Sequence, residues 1–163
     1  MKKVISLFLA ILLIGAYGIF ALGSGESETV EQGKGTVQSE ENKSNLGDYK
    51  VEILSCRLAK SFDDKSVVIV KYNFTNYSEQ PTAFFTAFDT IAYQNDIGLN
   101  NAYILKDNAN YSADNQTKEI KKDANLDVEV AYELNDTTTD IVVEVEELFS
   151  FSDKKITKTF SIK

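Results

Sequence analysis

The chain has 163 residues, of which 25 are acidic and 17 are basic, so its formal charge at pH 7 is −8. This balance argues against nucleic-acid binding, which needs a basic surface to replace the counterions of the phosphate backbone. Histidine is absent and Cys56 is the one cysteine, which excludes Ser-His and Cys-His catalysis, histidine or thiolate zinc sites and an intramolecular disulfide. We therefore expect no nucleic-acid partner and no cofactor.

Residues 1–23 form a predicted export signal. Two lysines precede the uncharged apolar run from Val4 to Leu22, and small residues close it at Ala21 and Gly23. This order is typical of a signal peptide cleaved after Gly23. The run also approaches the roughly 20 residues of a membrane-spanning helix, so a retained anchor stays open. Either way the lysines predict that the rest of the chain lies outside the cytoplasm, secreted or tethered to the outer face of the membrane, with this segment as its only membrane contact.

Residues 24–47 are predicted to be a disordered linker, and residues 48–163 a single folded domain. The linker is rich in glycine, serine and glutamate and contains no aromatic residue. It cannot bury enough apolar surface to offset the entropy of ordering. The domain instead consists of short alternating apolar runs between polar turns, which is typical of an all-β protein.

The alternation predicts seven or so strands and a two-sheet sandwich without helices. The apolar phase changes between Ile53 and Leu54, which predicts a bulge in the first strand. Phe84 to Tyr93 is assigned to a strand, and a weaker strand is placed around Gly98 to Leu105. The remaining strands are predicted from four alternating runs. These runs are Val68–Phe74, Leu126–Leu134, Ile141–Val145 and Ile156–Ile162.

An aromatic cluster is the first candidate for a binding surface. Phe84, Phe85, Phe88 and Tyr93 lie in one predicted strand whose two faces both carry phenylalanine. Because both faces carry phenylalanine, one of these residues is expected either to be exposed or to lie under a loop. The candidate binding patch is an exposed aromatic residue beside the Asn- and Tyr-rich loop that contains Tyr111. Exposed aromatic side chains of this kind mark interaction sites.

Two further groups of oxygen-bearing side chains could form a catalytic carboxylate pair or a calcium site, but each could also be an ordinary solvated surface. Glu144 and Glu146 share a strand face at about 7 Å, within the roughly 5–9 Å separation that glycoside hydrolysis uses. The same spacing is typical of any solvated acidic strand. Residues 108–119 place oxygen side chains at some positions of a calcium loop, but Ala113 replaces the required glycine. A polar surface loop is the simpler interpretation there, and we predict no metal site.

Several stretches resemble the extracellular domain of unknown function numbered five-zero-six-seven, found in bacterial surface proteins. They are Tyr49–Ile53, Val70–Thr82, Ala92–Asn95, Lys118–Lys121, Val130–Tyr132 and Glu147–Asp153, the last being the most specific. The resemblance implies an immunoglobulin-like sandwich and brings no catalytic residues. Such proteins often carry a lipidated cysteine after the signal. Here Ser24 occupies that position, and serine cannot form the thioether, so lipid attachment is not expected.

These observations lead to one functional prediction and two alternatives. The prediction is a non-enzymatic, exported immunoglobulin-like module that binds a protein or cell-envelope component. The first alternative is a carboxylate-dependent hydrolase of surface glycans that uses Glu144 and Glu146. The second is a structural spacer without a specific ligand.

Overall fold

The structure is a computed structural model that describes residues 43–106 and 109–162. Within these ranges the chain forms eight strands, a one-turn helix and a short 3-10 helix. In chain order they are β1 (Lys43–Leu46), β2 (Tyr49–Lys60), β3 (Ser66–Asn76), α1 (Phe84–Ala87), β4 (Phe88–Gln94), β5 (Ile97–Gly98), the 3-10 helix (Ala113–Gln116), β6 (Asn125–Glu133), β7 (Ile141–Glu147) and β8 (Lys155–Phe160).

The strands form two four-stranded antiparallel sheets. Sheet A has the order β1-β2-β3-β6, and sheet B has the order β5-β4-β7-β8. Alternate residues from both sheets meet in one main core, which includes Val51, Tyr72, Phe74, Val130 and Val143. The predicted all-β, two-sheet architecture is confirmed, because period-two alternation buries one face of each strand.

The predicted bulge is also confirmed. The pairing of β2 with β3 changes register between Ile53 and Ser55, so Leu54 is the additional residue. This shift explains why the apolar phase of β2 changes at that point.

Three assignments from the sequence need correction. Lys43–Leu46 forms β1 and pairs with β2, so the folded part begins before the predicted boundary at residue 48. Residues 84–87 form α1 rather than a strand. Between Gly98 and Leu105, the predicted weak strand is reduced to isolated bridges beyond the two residues of β5.

The one-turn helix has a clear local cause. The carbonyl of Ala83 accepts hydrogen bonds from the backbone N–H of Thr86 and Ala87 and from the Thr86 hydroxyl. Phe84 and Phe88 are four residues apart, so a helical turn brings both rings into the core. Strand alternation predicts the same burial for this pair and therefore misses the turn.

The export signal and residues 24–42 of the predicted linker lie outside the described residues. No helix in the part of the chain that the structure describes is long and apolar enough to cross a membrane.

Candidate functional site

A long connection covers the outer face of sheet A. We call residues 99–106 and 109–120 the overlay segment. On β3, Val67 and Ile69 point away from the main core and form a second cluster with Ala102 and Ala131, against which Leu105, Ala109 and Tyr111 of the overlay segment also pack. This second cluster explains why β3 is apolar on both faces, since each face meets a different layer.

Arg57 on β2 fastens the overlay segment to the sheet. Its guanidinium donates to the Glu129 carboxylate at 2.5 and 3.0 Å and to the backbone carbonyl of Asn110 at 2.9 Å. The hydrogen bond and positive charge of Arg57 lower the pKa of Glu129, while the bond to Glu129 raises the pKa of Arg57. The pair therefore stays ionised at neutral pH and holds the overlay segment in place.

Where the overlay segment meets the β2–β3 hairpin, three large apolar side chains are exposed together. The backbone N–H of Phe62 donates to the carbonyl of Ile104 at 3.1 Å. Phe62, Tyr103 and Ile104 have 76%, 80% and 70% of their surface exposed. We call these three residues the apolar patch. Singly exposed apolar residues are common, but neighbouring ones are typical of interaction surfaces.

The hairpin that presents Phe62 is held by polar contacts. The Ser61 hydroxyl donates to the Asp63 carboxylate at 2.5 Å and accepts the backbone N–H of Lys65 at 3.1 Å. The bond from Ser61 lowers the pKa of Asp63. Asp64 adopts a left-handed conformation with φ 66° and pairs with Lys106 of the overlay segment. These contacts fix the turn, so the patch is presented on a defined backbone.

Two grooves flank the apolar patch. The larger, of about 550 Å³, is lined by residues 103–106 and 110–114. The smaller, of about 320 Å³, is lined by Ser61, Phe62, Asp63, residues 101–104 and Glu133. Tyr103 and Ile104 line both grooves, so the grooves adjoin at the apolar patch. Grooves beside exposed apolar side chains suit contact with a partner surface of complementary shape.

The structure does not bring the predicted aromatic cluster together at the surface. Phe84 and Phe88 are buried, with ring centroids 5.4 Å apart. Phe85 is 53% exposed on α1, and Tyr93 is partly buried on β4. Phe84 and Phe88 are therefore core residues and cannot form a binding patch, because α1 turns both rings inward. Tyr111 is partly buried beside the larger groove, next to the observed patch.

Sequence reasoning missed Phe62, Tyr103 and Ile104. Phe62 stands alone among polar turn residues, and Tyr103 with Ile104 interrupts the alternation of the neighbouring residues. A large apolar side chain inside a predicted turn was the available signal, since turns are usually polar.

The other predicted groups have ordinary partners. Both carboxylate oxygens of Glu144 accept hydrogen bonds from Lys155 at 2.9 Å, and Glu146 is exposed on the same strand. The first position of the calcium-loop pattern, Asn108, lies outside the described residues. In the described ranges no three histidine, cysteine or acidic side chains lie close enough to hold a metal ion. Cys56 is partly buried against the main core, and burial raises the pKa of its thiol.

Comparison with known proteins identifies the family of this chain and a solved structure with a similar fold. A solved structure of a proposed lipoprotein from Staphylococcus aureus superposes with a TM-score of 0.55 at 17% sequence identity, over 74% of this chain and 92% of that chain. At this identity the likeness is one of fold. No curated protein sequence matches the chain. Residues 24–147 match the family described as domain of unknown function (DUF5067), which confirms the resemblance drawn from the sequence. The chain therefore belongs to the DUF5067 family.

Proposed function

We propose that this protein is an exported, non-enzymatic immunoglobulin-like module that binds a protein of the cell envelope through the apolar patch. The observation that carries the proposal is the joint exposure of Phe62, Tyr103 and Ile104 on a backbone fixed by the Phe62–Ile104 hydrogen bond. A few residues near the centre of an interface supply most of its binding energy, and aromatic residues such as tyrosine and phenylalanine are enriched there.

The charges around the patch support a protein partner. Asp63 and Glu133 lie beside the smaller groove, and both are within reach of Lys65, at 3.5 and 3.0 Å. An apolar centre with a rim of paired charges is the usual composition of a protein–protein interface. Rim charges of this kind guide the approach of the partner more than they add affinity.

Placement outside the cytoplasm is supported by three observations. The chain begins with the predicted export signal, belongs to DUF5067 and shares its fold with a proposed bacterial lipoprotein. The immunoglobulin-like assignment is supported by the two packed antiparallel sheets, since exported binding modules often use this architecture.

The two alternative functions, a glycan hydrolase and a spacer domain, require different surface features. A glycan hydrolase using Glu144 and Glu146 needs both carboxylates available to substrate, and Lys155 holds that of Glu144. A spacer domain needs no exposed apolar cluster. The apolar patch is therefore the feature that favours binding over both alternatives.

The test compares capture of envelope proteins by three forms of the full chain. The patch variant is F62S/Y103S/I104S, and the matched control is F149S/F151S, which removes two side chains that are 90% and fully exposed elsewhere. We expect wild type and control to enrich the same protein and the patch variant to lose it, with all three equally folded by circular dichroism. Equal enrichment by the patch variant would remove the proposal.

A further inference from the structure

The hairpin that joins β7 to β8 exposes two phenylalanines. We call residues 148–154 the hairpin tip. Phe149 is 90% exposed and Phe151 is fully exposed, and one serine, Ser150, separates them. Among the described residues, neither ring belongs to the main core or to the second cluster. The hairpin tip therefore carries two large apolar side chains that the packing of the fold does not use.

The backbone at Phe149 is unusual for a phenylalanine. Its φ is 64°, in the left-handed region, within a turn in which the N–H of Ser150 donates to the carbonyl of Glu147 at 3.3 Å. Glycine adopts this conformation readily, whereas a bulky side chain does so rarely and at a cost. The turn alone would therefore favour glycine. Both the backbone and the exposure of Phe149 are unfavourable for folding, which indicates a role outside the fold.

Serine side chains satisfy the backbone of the hairpin tip. The Ser150 hydroxyl accepts the N–H of Ser152 at 3.1 Å, and the Ser152 hydroxyl accepts the N–H of Lys154 at 3.2 Å. Backbone groups that already have hydrogen-bond partners cost less to bring out of water. The hairpin tip can therefore enter an apolar environment while keeping these hydrogen bonds.

A third aromatic side chain lies at the same end of the sandwich. The N–H of Leu148 donates to the carbonyl of Ala87 at 2.8 Å, so the hairpin tip starts beside α1. Phe85 of α1 is 53% exposed. This end of the two sheets therefore combines the hairpin tip with a further exposed ring.

The hairpin tip is far from the points where the described ranges stop. Glu147, just before the tip, lies beside Gly47 in the turn that precedes β2. Lys106 bonds the last residue of β2, at the opposite end of that strand, where the apolar patch also lies. β1 begins at Lys43 and runs towards the Gly47 turn, and β8 leads away from the tip to Phe160. None of these three points adjoins the hairpin tip, so its exposure belongs to the described part of the fold.

The size of the hairpin tip favours a lipid surface over a protein partner. An aromatic side chain buries about 150–250 Å², so two rings bury about 400 Å², half of the roughly 800 Å² that each side of a stable protein interface contributes. Insertion into a bilayer needs no matching surface, only apolar side chains that reach below the headgroups. The predicted linker is a poor cover for the rings, because residues 24–42 contain no aromatic residue and only Val30 and Val37 as sizeable apolar side chains.

Local charge does not oppose contact with anionic lipid headgroups. Residues 147–155 carry two acidic and two basic side chains, Glu147, Asp153, Lys154 and Lys155, and are neutral together in a chain of net charge −8. Lys154 is exposed, and its long side chain can reach the headgroups while the two rings enter the acyl region. The hairpin tip can therefore approach a bilayer without local repulsion.

The N-terminal segment would keep the hairpin tip close to a bilayer. The predicted linker, residues 24–42, lies outside the described residues, and a flexible chain of this length spans about 24 Å. Lys43 is four residues from Gly47, or about 13 Å along β1. A domain held at such a distance meets the membrane at high effective concentration, so that weak insertion by two rings is sufficient.

We propose that the hairpin tip inserts Phe149 and Phe151 into the outer leaflet of the membrane from which the chain is exported. The sequence predicts membrane contact through residues 1–23 alone, and the hairpin tip adds a second contact that sets the orientation of the domain. The inference rests on the export in the proposed function and is independent of the apolar patch. Because the occupant is lipid, F149S/F151S stays a suitable control for protein capture.

The first test uses tryptophan fluorescence, since the chain contains no tryptophan. The full-length F151W chain is reconstituted through its N-terminal segment into vesicles of phosphatidylethanolamine and phosphatidylglycerol, with or without bromine on the acyl chains. We expect a blue-shifted emission that bromine quenches. I97W is the matched control, because Ile97 is 63% exposed and pairs with the end of β4 that lies away from α1. Its emission should stay typical of exposed tryptophan and unquenched.

Three results would overturn the proposal. The first is emission from position 151 without a blue shift or quenching. The second is a blue shift that bromine does not quench, because a protein surface would then cover the ring. The third is equal quenching at position 97. The vesicle measurement needs neither export nor the apolar patch, so its failure is distinct from failure of the proposed function.

Variants in the F151W background then locate the contact. S150E, which puts a charge between the two rings, and F149S, which removes one of them, should each restore exposed, unquenched emission. The matched control I97E adds the same charge on β5 and should leave the quenching unchanged. Circular dichroism verifies that each variant is folded. Full quenching in both S150E and F149S, or its loss in I97E, would contradict insertion of the hairpin tip.

Discussion

The guanidinium of Arg57 and the carboxylate of Glu129 meet 2.5 Å apart on the outer face of sheet A, beneath the overlay segment. Arg57 also bonds the carbonyl of Asn110, so one side chain connects two strands of the sheet with the connection that carries Tyr103 and Ile104. The position of the apolar patch therefore depends on an ion pair outside it.

Replacing Arg57 with methionine should destabilise the protein by about 1–2 kcal/mol, since hydrogen bonds to charged groups are lost and the partial exposure of Arg57 reduces their strength. Urea unfolding measures this change. The control K155M breaks the more exposed pair with Glu144 and should cost less than about 1 kcal/mol. A smaller loss in R57M than in K155M would contradict the role of Arg57.

Glu129 should make stability depend on acid pH. Its pKa is lowered in the folded protein by Arg57, so this contribution is present above the unfolded pKa of about 4.3. It is lost as pH falls through the folded pKa. Urea unfolding at intervals from neutral to acid pH should show a steeper loss of stability for wild type than for E129Q. Parallel curves would show that Glu129 carries no such linkage.

Tyr132 should make the stability of the fold depend on alkaline pH. It donates to the Thr90 hydroxyl at 3.0 Å, across the two sheets, and contacts the Tyr72 hydroxyl at 3.2 Å. Burial raises the pKa of Tyr132 to about 12 and also raises that of Tyr72. The contribution of Tyr132 is therefore complete below the unfolded value of about 10 and is lost as pH rises through about 12.

Phenylalanine at position 132 removes the hydroxyl that joins the sheets. Y132F should cost about 1 kcal/mol at neutral pH, the usual net value of one buried hydrogen bond. Ultraviolet titration should show one fewer late-ionising tyrosine in this variant. Ionisation of Tyr132 near its usual pKa in wild type would refute the buried contact.

The turn between β1 and β2 depends on Gly47. Its φ is +59°, and a Cβ there would overlap the carboxylate of Glu147. G47A should therefore cost about 1 kcal/mol and lower the melting temperature. G98A is the control, because its new methyl would meet no atom closer than 3.7 Å. Equal melting temperatures for the two variants would show that the turn tolerates a side chain.

The sequence predicted the sheets well because alternation directly reflects burial, as in β6 and β7. It missed β1, since Lys43–Leu46 has four residues and one apolar side chain, Leu46, which is too short a run to show alternation. The helical turn α1 was missed because Phe84 and Phe88 fall on one face in a strand and also in a helical turn, so both patterns predict their burial. The apolar patch arises from tertiary contact between residues 42 positions apart, Phe62 and Ile104, which local patterns do not contain.

The most direct test of the proposed binding surface is photo-crosslinking in the native host. A photoreactive phenylalanine analogue replaces Tyr103 in one variant and Phe149, which is 90% exposed, in the control. Phe149 follows β7, whose last residue, Glu147, lies beside Gly47 in the turn before β2. The control is therefore near the start of β2, whereas Phe62 of the apolar patch follows the end of β2. We predict one discrete crosslinked protein from position 103 and none from position 149. No crosslink at 103, or the same product from both positions, would contradict binding through the apolar patch.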